Sequence, residues 1–97
     1  MQLKVLTIVT EALLEHILVK EIEKHGAHGY TITEARGKGT HGVRNAGWDN
    51  NANVRIEIVC TEEVCQSITK HLQDKYYDDY AMISFFYDAT VQRNNKF

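Results

Sequence analysis

Proline is absent from this 97-residue chain, and glycine occurs only six times. Turns therefore fall to glycine, and four of the six, Gly37, Gly39, Gly42 and Gly47, crowd into one stretch. The only cysteines are Cys60 and Cys65, too few for a disulfide framework and not spaced as CxxC. Both lie in apolar patterns and read as core thiols, because free cysteine behaves as a small hydrophobe. No apolar run approaches the roughly 18–20 residues that cross a membrane. The opening "MQLKVLTIVTE" lacks the cationic start and small-residue cleavage site of a signal peptide, so a cytoplasmic protein is expected. A net charge of −2 argues against a general nucleic-acid binder.

What is present is regular. The chain reads as one domain over 1–97, with a core of modest size. "LKVLTIVT" (3–10) is short and β-branched, and predicts a strand. Thr10 and Glu11 suggest a helix start, with a cap and an anion in the first turn. Leu14, Leu18 and Ile22 then recur at four-residue spacing, which predicts an amphipathic helix over 11–25, closed by Gly26. "GYTITEA" (29–35) is a second strand. "NVRIEIVC" (53–60) is a third, with Val54, Ile56 and Ile58 on one face and Arg55 and Glu57 on the other. Thr61, Glu62 and Glu63 open a second helix, with Val64, Ile68 and Leu72 as its buried stripe. "AMISFFYDATV" (81–91) is the last strand, and 92–97 is a polar tail expected to fray.

The order β-α-β-β-α-β is the split βαβ, ferredoxin-like plan. It predicts an α+β fold, an antiparallel four-stranded sheet with both helices on one face. Two helices leave the other face uncovered, yet the first and last strands are apolar on both sides. Val5 and Val9 oppose Leu6 and Ile8, and Met82 and Phe86 oppose Ile83 and Phe85. A sheet with one wet face should alternate cleanly, so a homo-oligomer is expected.

The connection after the second strand, about 37–53, is long for a compact domain, and such loops are usually functional or disordered. Arg36, Lys38 and Arg44 against Asp49 give residues 36–52 a charge of +2 in an acidic chain. Glycines let backbone N–H groups approach an anion, and Trp48 is a favoured contact residue. A phosphate or other small anion fits this composition, and so does a solvated turn. The spacing is not that of a Walker loop.

Other chemistry is thinly represented. His25 and His28 flank Gly26 without further ligands, so no metal site is expected. Asp78 and Asp79 read as turn residues. No nucleophile–base arrangement is evident, and no catalytic residue is assigned. The central strands lack the aromatics of RNA-recognition modules. An acyl-phosphate hydrolase of this topology would need its anion loop after the first strand, where "VTEAL" has no glycine.

Gly29-Tyr30-Thr31-Ile32-Thr33-Glu34-Ala35-Arg36-Gly37-Lys38-Gly39 resembles the G-[FY]-T-[VI]-x-E-x-x-G-x-G run of the PII signalling family, which leads into that family's T-loop. "GAHGYTI", "GKGTHGVRNAG" and "KYYDDYAMI" look like segments of its branch associated with bicarbonate transport and carboxysomes. The resemblance spans nearly the whole chain. It implies a homotrimer, not an enzyme, with adenine nucleotide in the clefts between subunits and T-loop control of a partner such as a bicarbonate transporter. Carried over residue by residue, it implies nucleotide contacts at Tyr30 and Thr31 beside the base, and at Gly37, Lys38, Gly39, Thr40, His41 and Arg44 around the phosphates. Phe85 and Tyr87 border the cleft on the last strand, with Phe86 between them. His41 stands where the branch often has a second arginine, and the chain ends without the family's basic C-terminal segment. The ligand implied is therefore AMP or ADP, with ATP or cyclic AMP behind them and bicarbonate as a companion. No tyrosine between 31 and 75 offers a uridylylation site. A structural interaction module without nucleotide is the competing reading.

Overall fold

The computed structural model describes residues 2–37 and 53–93. Four strands, β1 (Gln2–Glu11), β2 (Thr31–Ala35), β3 (Asn53–Cys60) and β4 (Met82–Thr90), form one sheet in the order β2-β3-β1-β4. Every neighbouring pair is antiparallel. The helices are α1 (Glu15–Lys24) and α2 (Glu62–Lys75). This is the α+β, ferredoxin-like plan anticipated from the element order.

Alternation sets the sheet's two faces. Leu6 and Ile8 of β1, Val54, Ile56 and Ile58 of β3, and Met82 of β4 point toward the helices. There they join Leu14, Leu18 and Ile22 with Cys65, Ile68 and Leu72 in one buried cluster. Burying a side chain of this size contributes about 1.5–3 kcal/mol, so this seam is the main source of stability.

Four local expectations are corrected. The expected helix over 11–25 begins instead with a 3-10 turn, Ala12–Leu14, and α1 follows at Glu15. Thr10 caps nothing: its hydroxyl donates to the Ala81 carbonyl oxygen at 3.1 Å. The second strand starts at Thr31 rather than residue 29, because its pairing with β3 starts at Thr31↔Glu57. In α2 the buried stripe is Cys65, Ile68 and Leu72, with Val64 only half-buried.

The helix ends follow ordinary capping chemistry. Thr61 Oγ1 accepts from the Val64 N–H at 3.3 Å and caps α2. At the end of α1, the Gly26 N–H reaches Glu23 O at 3.1 Å and the Ala27 N–H reaches Ile22 O at 3.0 Å. That pair of bonds is a Schellman motif. Gly26 supplies the required φ of +109°, and a Cβ there would also sit 3.1 Å from Val64 Cγ2. Glu21 stitches α1 to the end of α2. Its carboxylate accepts from Tyr76 Oη at 2.5 Å and from Lys75, and His71 Nε2 approaches to 3.1 Å. Burial pushes the Glu21 carboxyl up, but these donors outweigh it and the net shift is downward.

Candidate functional site

The sheet register gathers several chain segments at one end. Ala35 pairs with Asn53, Asn53 with Glu11, and Thr10 with Met82. The two roots of the 37–53 connection, the end of β1 and the start of β4 therefore lie side by side. The turn after α2 closes this end. Its Asp79 and Tyr80 N–H groups both donate to Tyr76 O, at 3.1 and 3.0 Å. The Tyr76 and Tyr80 rings pack edge-on, with centroids 5.6 Å apart. The Ala81 N–H donates to Glu11 Oε2 at 3.2 Å while its carbonyl takes the Thr10 hydroxyl. Both backbone groups of Ala81 are thus held by the last two residues of β1. Sequence reasoning misses this role because Thr10 and Glu11 resemble a local helix start.

Of the residues expected to hold a nucleotide, the described ones lie in separate places on the sheet. Gly37 lies at the loop root. Lys38, Gly39, Thr40, His41 and Arg44, with Trp48, fall outside the described residues. Tyr30 and Thr31 are exposed at the opposite end of β2. Tyr30 and Gly37 flank β2 on either side, and the five residues of that strand alone span ~17 Å at ~3.3 Å per residue. Phe85 and Tyr87 sit on the face away from the helices. Thr31, Glu57, Thr7 and Phe85 form one row across that face. Three strand spacings of about 4.8 Å place Thr31 and Phe85 ~14 Å apart. Among the described residues, Gly37, the Tyr30–Thr31 pair and the Phe85–Tyr87 pair therefore occupy separate places on the sheet.

The open face is apolar along β4. Ile83, Phe85 and Tyr87 are 44, 45 and 48% exposed, and Phe86, at the edge of the helix face, is 51% exposed. Clustered apolar exposure of this kind marks an interaction surface. Under the aromatics, Thr7 is fully buried and its hydroxyl has no hydrogen-bond partner. Toward β2 the face turns polar, with an exposed Arg55–Glu57 ion pair at 2.9 Å.

Among the described residues, no three His, Cys, Asp or Glu side chains are arranged to hold a metal ion. Burial pushes the Cys60 thiol up to about 12, and Cys65 is raised by the same cause, so both stay protonated at neutral pH. A shallow depression lined by Gln2, Leu3, Lys4, Glu62 and Asp88 lies at the far end of β1. Two of its lining residues, Lys4 and Asp88, form an ion pair at 2.5 Å. No helix among the described residues is long and apolar enough to cross a membrane.

Comparison with known proteins bears on this geometry. Residues 3–96 match the family model described as nitrogen regulatory protein P-II. A PII-like signalling protein from Thermus thermophilus is 44% identical. That match covers 93% of this chain and 89% of the other, with a TM-score of 0.78. CPII from Thiomonas intermedia, solved with ADP, AMP and acetate, is 26% identical with a TM-score of 0.85, covering 99% of this chain and 94% of that one. A second CPII structure, bound to ADP, AMP and bicarbonate, is 26% identical with a TM-score of 0.81 and covers 96% of each chain.

Proposed function

Since the chain belongs to the nitrogen regulatory protein P-II family, we propose that it is a homotrimeric regulator rather than an enzyme, binding ADP or AMP between its subunits. Tyr30 and Thr31 flank the base. Gly37, Lys38, Gly39, Thr40, His41 and Arg44 serve the phosphates, and Phe85 and Tyr87 border the cleft on β4. Bicarbonate is the companion ligand, and the regulated process is bicarbonate transport or carboxysome-linked CO2 fixation, reached through the 37–53 loop. The observation that carries this reading is the division of the described site residues, Tyr30 and Thr31 against Phe85 and Tyr87, between separate regions of one sheet. A cleft between subunits would bring such separated segments to one ligand. The ADP, AMP and bicarbonate bound by the CPII relatives support the choice of ligands.

Guanidinium suits the phosphate role because it donates two parallel hydrogen bonds to one phosphate. Isothermal titration with AMP, ADP, ATP and cyclic AMP, each with and without bicarbonate, tests the proposal. Saturable binding near one nucleotide per chain supports it, and coupling to bicarbonate supports the inorganic-carbon role. Absence of binding to all four leaves a structural interaction module. Arg44→Ala should weaken nucleotide binding by about 1.5–3 kcal/mol, the worth of a charged hydrogen bond. An unchanged affinity in that variant would remove Arg44 from the site.

A further inference from the structure

On the helix layer, Ser67 Oγ of α2 lies 2.9 Å from Nδ1 of His25, the residue that ends α1. The two belong to different elements, and the His25 backbone and ring are both held. The His25 N–H is bonded to Glu21 O at 3.0 Å, and the following Gly26 locks the Schellman turn. The His25 ring packs on the ring of His71, centroids 4.6 Å apart and tilted by 37°. His71 is itself held 3.1 Å from the Glu21 carboxylate. Hydroxyl and imidazole open into a surface depression also lined by Lys70, His71 and Asp74. Lys70 stands three residues after Ser67, on the same face of α2.

We propose that Ser67 and His25 form a nucleophile–base pair that accepts an acyl group from small activated esters. In the tautomer protonated at Nε2, Nδ1 accepts the hydroxyl proton, which is the arrangement that activates a serine. Ser67 Oγ attacks the ester carbonyl carbon. A new C–O bond forms to Oγ, and the ester C–O bond breaks. The alkoxide or phenolate departs with the bonding pair, and the serine proton passes to His25 Nδ1. Lys70 shares the depression and offers its ammonium to the negative charge that develops on the carbonyl oxygen. Asp74, 3.8 Å from Lys70, holds that ammonium near the depression. None of these residues belongs to the open sheet face or to the 37–53 loop, so acylation is expected without added nucleotide.

The test uses the full chain and p-nitrophenyl acetate, read by release of p-nitrophenolate and by peptide mapping of the acetyl group. The expected result is one acetyl group on Ser67, absent in Ser67→Ala. His25→Gln should slow the acylation by roughly 100-fold, the lower range of general-base assistance. Circular dichroism confirms that each variant retains its fold. No acetyl group on Ser67, acetylation confined to lysines, or an undiminished rate in His25→Gln would each overturn the proposal.

Discussion

β1 and β4 are neighbours in one sheet and both are rich in apolar side chains, yet they meet opposite fates. β1 lies between two strands, and Leu3, Val5, Leu6, Thr7, Ile8 and Thr10 are all buried. β4 forms an edge, and Ile83, Phe85, Phe86 and Tyr87 remain about half exposed. Residue chemistry does not separate them; position does. The comparison teaches that apolar patterning on both faces of a strand has two meanings. In the centre of a sheet it means core, and at an edge it means a surface awaiting a partner.

The sharpest way to break the comparison is to perturb each strand where the two differ. Phe85→Asp should abolish subunit assembly while leaving the far-ultraviolet spectrum of the monomer intact. Analytical ultracentrifugation reads this directly. A variant that keeps the wild-type mass would mean that the β4 aromatics are not an interface. On β1 the equivalent probe is a cavity. Ile8→Ala should cost about 2–5 kcal/mol in urea unfolding, because Ile8 is fully buried in the cluster beneath the helices. A loss below about 1 kcal/mol would place Ile8 with the surface residues.

Smaller changes test the helices, which cover the other face of the sheet. Thr61→Ala removes the cap of α2 and should destabilise the fold by about 1 kcal/mol, again read by urea unfolding. The mildest probe is pH. The Glu21 carboxyl is held below its ordinary range in the fold, so its ionised form stabilises the native state. The contribution is fully present above the unfolded glutamate value of about 4.3 and fades as pH falls through the lowered native value. Thermal melts from neutral pH into the acid range should show a shallower decline for Glu21→Gln than for the native chain. Parallel curves would remove Glu21 from the acid response.

Much of this architecture is legible in the sequence, and the exceptions share a cause. The third strand reads as 53–60 and the structure gives Asn53–Cys60, because strict alternation is a local signal. The start of α1 misleads because Thr10 and Glu11 look like a cap and a first-turn anion. Their real partner, Ala81, lies 71 and 70 residues away, beyond any local pattern. The β propensity of Tyr30 suggests a strand position, yet pairing with β3 does not reach it. The residues expected at the site divide in the same way. Tyr30, Thr31, Phe85 and Tyr87 can be picked out along the chain by resemblance. Their wide separation in the fold cannot, because it follows from strand order. The turn at Tyr76–Ala81 carries no local signal of its role, which arises only when it meets the end of β1.

That meeting gives the molecule a mechanical property. Ala81 is gripped at its N–H by Glu11 and at its carbonyl by Thr10, and Glu11 stands across from Asn53, a root of the central loop. Two segments far apart in the chain therefore share one pivot. The Tyr76–Ala81 turn, the end of β1 and the loop root at Asn53 are thereby tied together at one end of the sheet, with Ala81 as the shared pin.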